Sequence, residues 1–237
     1  MTPKTTNERG ALQRFIGRLK HGLVIQEILD RLMRRGLVLY PYLLTAERSA
    51  DAGQPPESSY VVRELQAQDA AEIARITVRQ VSETSIINDL TRARCYGIFD
   101  GSRLAGYTWV STRLLPVPAS RGVALYELNS DEAYLYDMFI SPDFRGGRLA
   151  PLLRTHVLQQ LVKEGRTQCY SITLLFNRSS RRFKARFGAR EVELRLYMHL
   201  RAGGLKGVDL RLWRRHPHLR TRLVQKVAAY RKGTSVG

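Results

Sequence analysis

The sequence predicts an α/β domain on a mixed central sheet, and three observations lead there. Strand-like segments alternate with amphipathic helical segments through its second half. A glycine-bearing loop joins one of those strands directly to a helix. The chain has 237 residues and is 43% hydrophobic, enough to bury a core of ordinary domain size. Strand, helix and strand in succession imply a partly parallel sheet with helices on both faces.

The elements read β-α-α-β-β-β-α-β-α-β across residues 60–200. Tyr60–Leu65 alternates as a strand. Asp69 is placed to cap a helix over about 70–80, and Ser82 one over about 83–93 with Ile86, Ile87 and Leu90 apolar. Cys95–Phe99 and Leu104–Thr112 read as a hairpin around Asp100-Gly101. Residues 113–132 hold Pro116 and Pro118 and read as irregular. Ala133–Ile140 is a strand ended by Ser141-Pro142. Gly147–Glu164 is a helix with Leu149, Leu152, Leu153, Val157, Leu158 and Leu161 along one stripe. Gln168–Phe176 is a strand, Arg178–Phe187 a helix closed by Gly188, and Glu191–Leu200 the last strand. Cys95 and Cys169 fall in strands without metal-ligand spacing, and the histidines show none either. They read as buried thiols of a reducing compartment, and no metal is expected.

Residues 51–59 form a linker by composition, and the segments on either side of the domain are basic. Residues 1–50 carry 9 Lys+Arg against 4 Asp+Glu, and residues 201–237 carry 10 against the single Asp209, within a total of +18. Leu12, Phe15, Ile16, Leu19, Leu23, Ile28, Leu29, Leu32 and Met33 recur at helical steps, with Gly36 as a C-cap, so 1–50 is expected to be an amphipathic helical extension. Pro41 stops a helix in the apolar run 37–44. Residues 201–237 are expected to form a second basic helical extension. Apolar faces flanked by cations, with Tyr40 and Tyr42 at one end, suit an anionic membrane surface through 12–44 and 205–232. Packing on the domain, or a homodimer contact, is the other use of 12–44. A nucleic acid fits less well, because no binding motif accompanies the charge. The first ten residues are polar and no signal peptide is visible. The expected location is the cytoplasm, on the inner face of the membrane.

The chemistry is densest in Ile140-Ser141-Pro142-Asp143-Phe144-Arg145-Gly146-Gly147-Arg148-Leu149-Ala150. A strand ends, a proline turns the chain, and a glycine-bearing loop opens a helix. Such a loop turns backbone N–H groups toward an anion, and the helix N-terminus adds partial positive charge. Arg145 and Arg148 can add charge-assisted hydrogen bonds. The pattern is a pyrophosphate site, or else a tight turn with solvated arginines.

This segment resembles the acetyl-CoA-binding motif of the GNAT superfamily, Arg/Gln-x-x-Gly-x-Gly/Ala. Arg145 and Ala150 match its ends, and Arg148 replaces its middle glycine. A second block agrees downstream: Asn177, Ser180, Phe183, Phe187 and Gly188 are similar to the family's Asn-x-x-Ala/Ser-x-x-Phe/Tyr-x-x-x-Phe/Leu-Gly. The resemblance covers about 140 residues in the right order. It implies the GNAT fold, acyl-CoA as co-substrate and an amine as acceptor. It further implies a coenzyme A site drawn from Met138, Phe139, Ile140, Arg145, Gly146, Gly147, Arg148, Leu149, Ala150, Asn177, Ser180 and Phe183.

The implied reaction is direct attack of the amine on the thioester, which needs a base, an oxyanion donor and an acid for the thiolate. Asp137 stands close to the family's acidic position, and Glu132 is the second candidate base. Either is otherwise an ion-paired strand residue. The backbone N–H around Phe139 is the implied oxyanion donor. Lys184 stands where the family often has a proton-donating tyrosine, and it can donate a proton or sit at the surface. Tyr136, like Tyr134 and Tyr170, can donate a proton or line a pocket. The acceptor expected from the basic ends is a membrane-presented amine such as a sphingoid base or another amino lipid. A soluble or lipid-linked amino sugar, a small metabolite or a protein is the alternative, and a non-catalytic acyl-CoA sensor or nucleic-acid-binding module is the third.

Overall fold

The computed structural model describes residues 23–55, 57–77, 81–116, 124–200 and 207–214. In chain order the elements are α1 (Leu23–Arg34), β1 (Leu37–Arg48), β2 (Val61–Leu65), α2 (Ala70–Ile76), α3 (Glu83–Leu90), β3 (Arg94–Asp100), β4 (Arg103–Ser111), β5 (Leu114–Pro116) and β6 (Ala124–Glu127). They continue as β7 (Glu132–Ile140), α4 (Leu149–Lys163), β8 (Gln168–Leu174), α5 (Arg178–Ala185), β9 (Arg190–Leu200) and β10 (Val208–Arg214). The chain forms two compact units, one of 46–116 with 122–171, the other chiefly of residues up to 45 and 172–220.

In the first unit β2, β3, β4 and β7 form successive antiparallel ladders, and β8 joins β7 in parallel. This is the mixed sheet that the strand–helix–strand order predicts. Helix α4 packs on β3, β4 and β7. It does so through Leu149, Leu152, Leu153, Val157, Leu158 and Leu161, the apolar stripe seen in the sequence, all buried. A separate core of Leu65, Ile73, Ile86, Cys95, Phe99 and Leu104 lies with α2 and α3. Ser82 caps α3 as expected, its hydroxyl accepting from the Ser85 N–H at 3.2 Å. Asp69 does not cap α2. Its carboxylate turns back to accept from the Gln66 N–H at 2.8 Å and from Arg63. That guanidinium holds the Asp69 carboxyl below its ordinary value. Residues 113–132 are more regular than expected, because β5 and β6 pair as a short hairpin. Cys95 and Cys169 are free and buried.

In the second unit the strand order is β10-β9-β1-β8. The expectation that 1–50 is a helical extension is corrected here for residues 37–48, which are strand. The apolar run around Pro41 occupies a position between β9 and β8, and Tyr42, Leu43 and Leu44 are at most 1% exposed. A strand buried on both faces shows a continuous apolar run instead of alternation, so period-2 reading misses it. The Pro41 carbonyl accepts from the Leu175 N–H at 3.1 Å. Tyr42 is not a surface anchor either: its hydroxyl donates to Asp209 at 3.0 Å inside the fold. The helical pattern holds in α1, where Gly36 follows at φ 97° with its N–H on Met33.

The C-terminal extension is likewise corrected over Val208–Arg214, which pair antiparallel with β9. The rest of 201–237, and residues 1–22, lie outside the described residues. No described helix is long and apolar enough to cross a membrane.

Candidate active site

The ladder between β4 and β7 slips by one residue at its middle. Tyr107 pairs with Phe139 but Trp109 pairs with Tyr136, so Thr108 faces both Asp137 and Met138. This is a β-bulge, which bends a strand and re-aims its side chains. Asp137 carries it at φ 48°, the only non-glycine at positive φ among the described residues. Aspartate tolerates that left-handed conformation better than most residues. The Thr108 hydroxyl donates to the Tyr136 carbonyl at 3.3 Å. Asp137 itself is exposed. Aromatic rings brace the strand: Tyr136 stacks on Tyr134 at 5.1 Å and on Trp109 at 6.3 Å, and Tyr107 lies 5.7 Å from Phe139. On β4, Gly106 admits the bulged strand, because a Cβ there would meet the Phe139 carbonyl oxygen at 2.6 Å.

The parallel ladder between β7 and β8 comprises Glu132↔Gln168, Ala133↔Cys169 and Tyr134↔Tyr170. Beyond it, β7 is paired with β4 alone among the described residues. The Ser141 N–H goes to the Ala105 carbonyl on β4 at 2.9 Å. By strand alternation the amide and carbonyl of Ile140 face the other, unpaired side. Arg145 reaches that side, its Nε donating to the Ile140 carbonyl at 3.0 Å, with the guanidinium 5.6 Å from the Phe139 ring.

The loop that follows joins β7 to α4 through a proline turn and two glycines. Pro142–Phe144 make one tight turn, Gly146 sits at φ 85°, and Arg148 is the residue before α4. The Leu152 N–H to the Arg148 carbonyl, 3.0 Å, is the bond that opens α4, and Pro151 has no N–H to give. The amides of Gly146, Gly147, Arg148, Leu149 and Ala150 therefore precede the helical ladder, at the positive end of a 15-residue helix. Arg145 and Arg148 are both exposed at this mouth. Arg103 ties the loop down by pairing with Asp143 and lying 5.0 Å from the Phe144 ring.

Glu132 is not brought to the bulge. It lies five residues earlier on β7, roughly 16 Å away at the usual strand rise. Both of its oxygens are taken, one by the Tyr170 hydroxyl and one by the Asn129 N–H, each at 2.9 Å. Burial, together with that carboxylate, pushes the Tyr170 hydroxyl well above its ordinary value.

In the second unit the Asn177 side chain caps α5, accepting from the Ser180 N–H at 3.0 Å. The Ser180 and Thr173 hydroxyls lie 3.5 Å apart. Phe183 packs on Phe187 at 5.3 Å between ring centres. Lys184 is not a surface residue: it is 7% exposed, and its Nζ donates to the Ile172 carbonyl at 2.8 Å. It lines a cavity of about 330 Å³ with Thr45, Arg181, Ala185, Ala189, Arg190 and Glu191. Arg181 pairs with Glu191 at 2.8 Å.

The bulge at Asp137, its Thr108 partner, the Gly106 approach and the Arg103 brace all escaped sequence reading. Each depends on which strand lies beside β7, and no spacing within one segment records that. Among the described residues no group of three His, Cys, Asp or Glu is placed to hold a metal.

A family model described as the acetyltransferase (GNAT) family matches residues 58–189 of this chain, more than half of it. Among solved structures, a tandem GNAT protein from the clavulanic acid biosynthesis pathway is similar at a TM-score of 0.55 and 16% identity, over 71% of this chain and 55% of that one. A functionally unknown conserved protein from Staphylococcus epidermidis ATCC 12228 is similar at 0.52 and 5% identity, over 73% and 66%. A Drosophila malonogaster protein is similar at 0.51 and 15% identity, over 74% and 57%. The chain thus spans between 55% and 66% of the length of these structures, and at such identities they show the fold alone. No curated protein matches the chain significantly.

Proposed function

The chain belongs to the acetyltransferase (GNAT) family, acyl-CoA-dependent N-acyltransferases, and from that premise we propose that its acceptor is a membrane-presented, lipid-like amine such as a sphingoid base or another amino lipid. The observation that carries the acyl-transfer reading is the sequence of features along one stretch of chain: a bulged strand at Asp137, an unpaired edge at Ile140, and the loop of Arg145–Ala150 opening a helix. The support for a lipid-like acceptor is the net charge of +18, concentrated at the two ends, and the exposure of Ile25 and Ile28 on α1 at 47% and 50%.

In the proposed assignment the amides of Gly146–Ala150, with Arg145 and Arg148, hold the pyrophosphate of coenzyme A. The amine nitrogen attacks the thioester carbonyl carbon, so a C–N bond forms while the carbonyl oxygen gains charge. The backbone N–H of Ile140, on the side of β7 turned away from β4, receives that charge, whereas that of Phe139 faces Tyr107 in the ladder. Collapse breaks the C–S bond. Asp137, exposed on the bulge, draws the proton from nitrogen through water, and Tyr136, its neighbour on β7, returns one to the thiolate.

Titration calorimetry of acyl-CoAs from acetyl to palmitoyl, on wild type and Arg145→Ala, tests this reading. Affinity should rise with chain length by up to ~0.8 kcal/mol per methylene where the chain is buried. Arg145→Ala should weaken every thioester by about tenfold, the value of a charge-assisted contact. Thiol release should be faster with an amine embedded in vesicles than with a soluble one. Flat affinity and turnover of soluble amines overturn the lipid acceptor and leave acyl transfer intact. Absence of thioester binding overturns both.

A further inference from the structure

The β9–β10 ribbon of the second unit has its polarity reversed. Directly opposed residues in an antiparallel pair share a face. Leu196 opposes Leu210, Met198 opposes Val208 and Leu194 opposes Trp213, so one face is apolar at every one of these positions. That face is the open one: Val208 is 50% exposed, Leu210 40%, and Leu200 at the end of β9 42%. Leu212, in the bulge of β10, is 54% exposed. Leu194, Leu196, Met198 and Trp213 are half-buried. The other face holds the charges and is covered at Glu193, Arg195 and Tyr197, leaving Arg211 exposed at its edge. Glu193 is 0% exposed and Arg195 8%. Arg195 joins Glu193 at 2.9 Å and Asp209 at 2.6 Å, and the buried Tyr42 hydroxyl donates to Asp209.

The charge of the segment that contains β10 selects its partner. Residues 201–237 contain ten Lys and Arg, and their one acid is Asp209. That carboxylate is ion-paired with Arg195, so it is not left free to oppose an anionic surface. Arg211, which opposes Arg195 in the register, is exposed from the charged face. An exposed aliphatic face with a Trp at its margin, in a strongly basic segment of sequence, is the composition that enters the headgroup region of an anionic bilayer. Nucleic acid would use the cations and leave the aliphatic side chains exposed. A second copy of the chain would bring two strongly basic segments together against their repulsion.

We infer that the outer face of β9–β10 is a docking surface for an anionic lipid bilayer. This places on this ribbon the membrane contact that the proposed lipid-like acceptor needs, and it stands on different residues from the coenzyme A loop.

The test is flotation of the full chain with vesicles of phosphatidylglycerol and phosphatidylcholine in equal parts, and with vesicles of phosphatidylcholine alone. Val208→Glu with Leu210→Glu is the variant, chosen because both side chains are already exposed. Its circular dichroism melt and its acyl-CoA affinity serve as controls. The expected result is binding of wild type to the anionic vesicles only, weakened about tenfold or more in the variant, with melt and acyl-CoA affinity unchanged. Equal vesicle binding by wild type and variant overturns the inference and assigns attachment to the cations alone. So does a wild type that ignores both vesicles. A dimer by sedimentation that the variant converts to monomer, without vesicle binding, makes the face a subunit contact and overturns it too. Loss of acyl-CoA binding in wild type sinks only the acyl-transfer reading. Absence of vesicle binding by wild type overturns this inference and leaves the acyl-transfer reading standing.

Discussion

Asp137 has two separable jobs in this structure. Its backbone holds the left-handed position of the bulge, at φ 48°, and its carboxylate is the assigned base. Substitution separates them. Asp137→Asn keeps a residue that accepts the left-handed region, so the melting temperature should hold while kcat falls by roughly 10²–10⁴, the usual worth of a general base. Asp137→Val should also cost about 1–3 kcal/mol of stability, because a β-branched side chain is strained there. An unchanged kcat in Asp137→Asn would remove the carboxylate from the reaction and leave the bulge as the contribution of this residue.

Helix α4 is held to the end of β1 by an ion pair within the first unit. Arg154 and Glu47 are 2% and 3% exposed and face each other directly. Removing one partner leaves a buried charge without its counterpart, so Arg154→Ala should lose about 3–5 kcal/mol in urea denaturation. Arg154→Met combined with Glu47→Leu should recover most of that loss, since two apolar side chains need no counter-charge. If the double variant is as unstable as the single one, packing rather than charge decides the pair. Beside it, burial pushes the Cys169 thiol up to about 12, against a weaker opposing hydrogen bond from Ser49, which lies 3.1 Å away. Burial raises the Cys95 thiol further still. The folded state therefore keeps both protons longer than the unfolded chain does. Their contribution to stability is whole below the ordinary thiol pKa of about 8.5 and is lost as pH rises through the folded values. Denaturation midpoints compared at about pH 8 and about pH 10.5 should fall, and fall less in Cys95→Ala with Cys169→Ala.

For the whole molecule, the placement of β1 has the largest consequence. Residues 37–48 lie outside the family match at 58–189, yet in the second unit their strand stands between β9 and β8. A chain beginning at residue 49 would lose the buried Tyr42, Leu43 and Leu44 and open two strand edges at once. Such a truncation should abolish the cooperative melt and leave an aggregating protein, whereas a chain beginning at residue 23 should keep the melt. A soluble, cooperatively melting fragment of 60–200 would show instead that the sheet closes without β1.

The sequence by itself determined what is written in neighbouring residues. The stripe of α4, the Ser82 cap, the turn at Gly36 and the loop from Arg145 to Ala150 were all legible, because helix period, capping and glycine freedom act over a few residues. The same reading failed at β1, where a strand covered on both faces carries no alternation, and at β10, where alternating Val208, Asp209, Leu210 and Arg211 stood within a run taken for its charge. Only the tertiary structure decided which strands lie side by side. That pairing made a bulge at Asp137, left Glu132 bound to Tyr170 far from it, buried Tyr42 beneath Asp209, and turned the apolar side of β9–β10 outward. Register and burial arise between segments distant in the chain, so no local pattern contains them.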